Sequence, residues 1–307
     1  MILLGILAAS ASGGGGVSVA GYAAGGSTGS NVDTVDKFLF SDDSRTTLSS
    51  GLSSARTATA GMSNSGVAGY CAGGETSTNV NTVDKFAFPS DSRTTLGTGL
   101  SSAKRELGGF SNSGTAGYCA GGYDSAKVDT VDKFAFPSDS RTTLGTGLSA
   151  ARFVFRGISN KAVAGYTAGG YDGANVDTVD KFAFPSDSRT TLGTGLSANR
   201  RGTTGMSNAG VAGYSVGGYE SGVTATVNKF AFPSDSRTTL GTGLSSARMK
   251  SAGMSNAGIA GYAAGGYTGG RVSTTDKFAF PSDSRTTLGT GLSSARENVV
   301  GFENEAI

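Results

Sequence analysis

Apolar and polar residues along this chain follow no 3.6-residue helical period. They form short β-prone runs, broken about every 8 to 14 residues by glycine, proline, serine and asparagine turn signals. From Phe153 to Arg200 the pattern predicts a strand a near Phe153–Ile158, ended by Ser159-Asn160, and a strand b over Val163–Ala168, closed by Gly169-Gly170. A strand c follows over Val176–Phe184, ended by Pro185-Ser186-Asp187-Ser188, and then a strand d near Arg189–Thr194. Proline at the exit of strand c fits a turn, where no ladder donor is missed. The pattern excludes a helical fold.

The same four-strand pattern recurs. Asp-Lys-Phe begins at Asp36, Asp84, Asp132, Asp180 and Asp276, with Asn228 in the remaining place, each step being 48 residues. Gly-Tyr keeps the same step from Gly21 to Gly261, and Ala20 to Ile307 is 288 residues, or six repeats of 48. The stretch Asp84–Leu100 returns unchanged from Asp132, Asp180 and Asp276, which points to tandem duplication. One four-stranded unit of this kind cannot bury its apolar faces, so units must stack, and radial stacking closes into a propeller. The predicted fold is all-β, a six-bladed β-propeller of four-stranded repeats over residues 19–307, preceded by a separate segment, residues 1–18.

Closure of the ring follows from the same alignment. Glu297–Asn304 matches strand a of the other units and has no later strand b of its own. In the first unit the place of strand a falls on Ala9–Gly15, whose Gly13-Gly14-Gly15 makes a poor strand. Glu297–Asn304 is therefore expected beside the strand b that begins at Val19, leaving no open sheet edge at the seam.

The order Ala151-Arg152, an apolar strand, Gly165 to Gly173 (Gly-Tyr-Thr-Ala-Gly-Gly-Tyr-Asp-Gly) and Val176 to Phe182 (Val-Asp-Thr-Val-Asp-Lys-Phe) resembles the kelch repeat over nearly the whole chain. It departs in lacking the tryptophan that kelch units usually carry on the last strand, where Thr142 or Thr143 stands instead, so thinner packing between blades is expected. Regular arrays built on Thr-Val-Asp-Lys-Phe and Ser-Arg-Thr-Thr-Leu also resemble those of phage virion proteins, especially of marine and cyanobacterial phages. That resemblance implies a virion location and a structural or adhesive role.

Charge adds little. The chain has 25 Lys and Arg against 23 Asp and Glu, so no long-range field favours nucleic acid or a membrane surface. The start, Met1–Ala11, imitates a signal peptide but lacks a basic region, and it is far short of the roughly 20 apolar residues of a membrane span. Its apolar side chains Ile2, Leu3, Leu4, Ile6 and Leu7 are expected to anchor the propeller to other virion proteins or to a second copy of the chain. Cys71 and Cys119 occupy the same place in neighbouring repeats and read as small buried strand residues rather than a disulfide.

The chain has no histidine, which removes the commonest general base and transition-metal ligand, and with it the copper chemistry of kelch-type oxidases. Its many serines lack a base to activate them. The turn Ser90-Asp91-Ser92-Arg93 slightly resembles the Asp-box of sialidase propellers but lacks that motif's glycine and tryptophan. A catalytic site is a single asymmetric constellation, so a turn copied from blade to blade reads as structure, with Asp91 and Arg93 holding the c–d hairpin through side chain to backbone bonds. Asp84 and Lys85 point to opposite faces of their strand and are expected to pair with a neighbouring blade, an exposed pair contributing ~0–1 kcal/mol. No enzyme activity, cofactor or metal is expected.

The six copies differ mainly in two stretches, one after the Ala-Arg pair and one after the diglycine. In an antiparallel a-b-c-d blade the d–a and b–c connections share one rim, so both variable stretches are expected on one face, the pattern a recognition surface would produce. Tyr123, Asp124, Tyr171, Asp172, Tyr219, Glu220, Phe153, Phe155 and Arg156 supply rings to stack and polar tips to orient, which suits a host cell-surface glycan or protein. The leading expectation is a phage tail-fibre or tail-tip propeller, and the alternative is a cellular kelch-type protein-binding scaffold, secreted or cytoplasmic.

Overall fold

A computed structural model describes residues 19–304 as six four-stranded antiparallel sheets, with no helix among them. In blade four the strands are a (Arg156–Asn160), b (Ala164–Ala168), c (Val179–Ala183) and d (Ser188–Thr191), running from the axis outward. The chain is a six-bladed β-propeller. Burial falls along this order. Strand b of blade two, Ala68–Ala72, is wholly buried, whereas its strand d, Ser92–Thr95, is exposed.

In blade four the strands are shorter than the sequence pattern predicts because backbone groups at their ends go to other partners. Phe153 bridges only to Tyr171, while Val154 turns to a positive φ of 60° and gives its N–H to Glu106 of the preceding blade. Strand c starts late because Val176 and Asp177 accept from Arg200 and Leu196 of the outgoing loop, at 3.0 and 2.8 Å.

Each interface between blades repeats one unit. Tyr70 of blade two stacks on Phe136 of blade three at 5.1 Å and donates its hydroxyl to Asp139 at 2.8 Å. Lys85 lies over the same ring and reaches Asp139 at 2.6 Å. Burial, and then the Asp139 carboxylate, push the Tyr70 hydroxyl far above its ordinary pKa, so it stays a donor. Tyr22, Tyr118, Tyr166, Tyr214 and Tyr262 repeat the arrangement. These stacks fill the interface that lacks tryptophan, so the packing is not thin. Asp91 and its equivalents hold neighbouring blades together in this way, and Arg93 donates to the Thr95 hydroxyl, which corrects the expectation that the two hold the c–d hairpin through side chain to backbone bonds.

The ring closes as the repeat alignment predicts. Val300–Asn304 is strand a of blade one and pairs antiparallel with strand b, Ala20–Ala24, in the register Ala20↔Asn304, Tyr22↔Phe302 and Ala24↔Val300. Phe302 stacks on Tyr22 at 5.0 Å and on Phe86 of blade two at 5.6 Å. Cys71 and Cys119 are free and buried. The expected anchor residues Ile2, Leu3, Leu4, Ile6 and Leu7 lie outside the described residues.

Candidate binding surface on the variable rim

Both variable stretches lie on one rim, where six isolated bridges join them: Thr57 with Glu75, Arg105 with Tyr123, Phe153 with Tyr171, Arg201 with Tyr219, Met249 with Tyr267, and Glu297 with Ser27. Each bridge seats one residue of the d–a connection beside one of the b–c connection, so their side chains emerge together. In three of the six blades an asparagine, Asn31, Asn79 or Asn175, ties the b–c loop to the next blade. Asn79 donates to Tyr123 O and Asp124 O at 3.0 and 2.8 Å, and Asn175 to Tyr219 O and Glu220 O at 3.1 and 2.8 Å.

Over blades two to five the emerging side chains form one continuous band. Glu75 pairs with Arg105 at 2.6 Å, and Arg105 lies over the Tyr123 ring at 5.3 Å. Tyr123 meets Phe153 at 5.3 Å, and Phe153 meets Tyr171 edge-on at 5.7 Å. Arg201 then lies between Tyr171 and Tyr219, at 5.3 and 4.8 Å. The members are all partly exposed. Such a band offers flat aromatic area whose rotamers are already fixed by their neighbours, so little side-chain freedom remains to be lost on binding.

Of the residues expected at the site, Tyr123, Phe153, Tyr171 and Tyr219 are brought together. Asp124, Asp172 and Glu220 flank the band. The Asp124 carboxyl is held below the usual range by the N–H groups of Ser125 and Ala126, and Asp172 accepts from Ala174 N at 3.3 Å. Glu220 approaches the buried Arg200 at 3.7 Å. Phe155 and Arg156 do not belong to the surface. Phe155 is fully buried and packs in the core, and Arg156 opens strand a at the axis, because the chain has already turned inward after Phe153. Arg105 and Arg201 were missed as site residues, although both stand 48 residues from Phe153 in the same variable column.

The Asp84 class also needs correcting. Lys85 does pair with the next blade, but Asp84 is fully buried and binds Arg56 at 2.9 Å, itself fully buried. Ser53 N and Oγ and Thr95 Oγ1 also donate to this carboxylate, at 2.8, 2.9 and 2.7 Å. It clamps the outgoing loop of one blade onto the next, and is no weak exposed pair.

Among the described residues no three His, Cys, Asp or Glu side chains group as metal ligands, and no helix is long and apolar enough to cross a membrane. No protein-family model matches the chain, and no curated protein matches it. A propeller with a uniform rim and a divergent one suits a binding or scaffold role.

Proposed function

We propose that the chain is a non-enzymatic binding propeller of kelch-like repeats, a component of a phage tail fibre or tail tip that meets the host surface with its variable rim. The observation that carries this reading is the Arg105–Tyr123–Phe153–Tyr171–Arg201–Tyr219 band. Blade interfaces repeat almost without change, while the divergent columns assemble into partly exposed rings in tilted and edge-on contact, flanked by guanidinium groups, the chemistry that holds the faces of sugar rings or an aromatic epitope. The phage placement rests on the likeness of the repeat to those arrays, and the residue 1–18 segment supplies attachment to other virion proteins in this reading.

The test is adhesion of the purified protein to candidate host cells and to a glycan array. Replacing Tyr123, Tyr171 and Tyr219 together by alanine should lower adhesion at least about tenfold, the loss of roughly 1.4 kcal/mol, with little change in the melting temperature. Unchanged adhesion in this variant, together with loss in Asp91→Ala or Asp139→Ala variants that stay folded, would move the binding face to the opposite rim.

A further inference from the structure

The propeller axis is lined by glycine. Gly61, Gly109, Gly157, Gly205, Gly253 and Gly301 stand at equivalent places in strands a, so close that a Cβ on Gly109 would lie 2.0 Å from Gly61 O. Their amide groups turn away from strand b. The next residue of the same phase shows the direction, since Ser63 N donates across to Ser111 Oγ at 2.8 Å and Ser111 N to Ser159 Oγ at 2.9 Å.

At the variable-rim end, one residue per blade takes a left-handed backbone: Ala58, Glu106, Val154, Gly202, Lys250 and Asn298, with φ between 54 and 65°. They form a belt around the mouth, in which Glu106 N donates to Ala58 O, Val154 N to Glu106 O, Gly202 N to Val154 O and Lys250 N to Gly202 O, at 2.7 to 2.9 Å. Glu106 of blade three and Lys250 of blade six stand on opposite sides of the belt, and their side chains meet across it at 3.3 Å.

Beneath this pair lies Arg156, where the other blades carry Ala60, Gly108, Thr204, Ala252 and Val300. It is only 9% exposed. Its Nη1 donates to Leu107 O and Phe155 O at 3.3 and 3.2 Å, whereas Nε and Nη2 are buried with no acceptor among the described residues. With the glycine ring and Val300, the guanidinium lines a cavity of about 40 Å³. About 15 Å³ suffices for one water-sized guest. At this end of the axis Arg156 and Lys250 carry two positive charges against the single carboxylate of Glu106, and the next axial carboxylate, Glu303, stands beyond the glycine ring beside Ser63. Burial pulls the Arg156 guanidinium below its usual range, and Glu106 offsets this only in part.

We propose that this axial cavity is a binding site for one small monovalent anion of the halide class, held by Nε and Nη2 of Arg156 beneath the Glu106–Lys250 pair. A buried guanidinium with two free donors is costly, and an anion placed against both satisfies them and cancels the excess charge. The competing guest is water, because Glu106 Oε2 is also buried without a donor and a water could bridge it to the guanidinium.

Crystals of the full chain soaked in sodium bromide separate the two guests, since bromide gives an anomalous peak beside Arg156 and water gives none. In solution, melting in sodium bromide is compared with sodium gluconate at equal ionic strength, for the native chain and for Arg156→Thr, which installs the residue of blade five. Bromide should raise the native melting temperature by about 2–4 °C and leave Arg156→Thr unmoved. Density without an anomalous signal at the site, or the same bromide dependence in both chains, overturns the proposal. If Arg156→Thr does not fold, the anomalous measurement on the native chain decides alone.

Discussion

Among single residues, the axial glycines carry a sharp requirement. The missing side chain at Gly109 lets strand a of blade three rest directly on the backbone of its neighbour, and no rotamer relieves a clash with a carbonyl. Gly109→Ala should therefore destabilise the propeller by at least about 3 kcal/mol, at or beyond the upper end of ordinary overpacking, because the ring cannot widen at one blade alone. Gly97→Ala is the matched control, since nothing lies within 4 Å of a Cβ there, and it should change stability by no more than about 0.5 kcal/mol. Urea denaturation of the two variants checks this, and equal midpoints would show that the axis yields. The sequence marks Gly61, Gly109 and their equivalents as a constant column but does not give the reason. Contact between blades is set by the ring's radius, which no local pattern encodes. The same limit put Phe155 and Arg156 on the rim, for a single left-handed residue, Val154, decides which neighbours point out and which point in.

At the scale of the element, strand c joins each blade to the loop that enters it, and the repeats contain one natural exception. Asp132, Asp180 and Asp276 are held below the usual carboxylate range, burial against ionisation being outweighed by the facing cation and by serine and threonine donors. Blade five has Asn228 in that place, so the buried Arg200 faces an amide oxygen and a carboxylate only at Glu220. Burial pulls the Arg200 guanidinium below its usual range. Asn228→Asp should therefore raise the unfolding free energy by ~1–3 kcal/mol at pH 7, the range of hydrogen bonds to charged groups. A carboxylate whose folded pKa is depressed gives stability that is present above its unfolded pKa of about 3.9 and is lost as pH falls through the folded value. The advantage of Asn228→Asp should thus be full at pH 7 and shrink below about pH 4. Denaturation at both pH values checks it, and an advantage that persists in acid would assign the effect to something other than charge. Repetition of Asp-Lys-Phe showed that the position mattered. That its aspartate is buried, with an arginine from 28 residues upstream, was not legible, because adjacent opposite charges on a strand look alike whether their faces meet water or another blade.

For the molecule as a whole, the 48-residue period and the turn signals were enough to read the number of blades, their strand order and the rim shared by the variable stretches, because each follows from counting and from antiparallel connectivity. Closure was legible for the same reason, since the last unit left one strand without a following strand b. The structure adds what that strand does energetically. Val300–Asn304 covers the inner edge of blade one, stacks Phe302 between Tyr22 and Phe86, and places Gly301 against Gly253 on one side and under Gly61 on the other. Glu303 N also donates to Ser63 Oγ at 3.0 Å, so the strand bridges blades six, one and two. A ring has no free end to absorb the loss of one inner strand. Removing residues 297–307 should expose the edge of Ala20–Ala24, bare the faces of Tyr22 and Phe86, and abolish cooperative folding at 37 °C rather than merely lower stability. Circular dichroism and size-exclusion chromatography of the truncated chain are expected to show loss of the native β-signal or aggregation through the open edge. Adding back a peptide of residues 297–307 in excess should restore a monomeric ring, since the seam is built from one strand's own hydrogen bonds and ring contacts. A truncated chain that stays monomeric with the native melting temperature would show that five complete blades and an open sixth are enough.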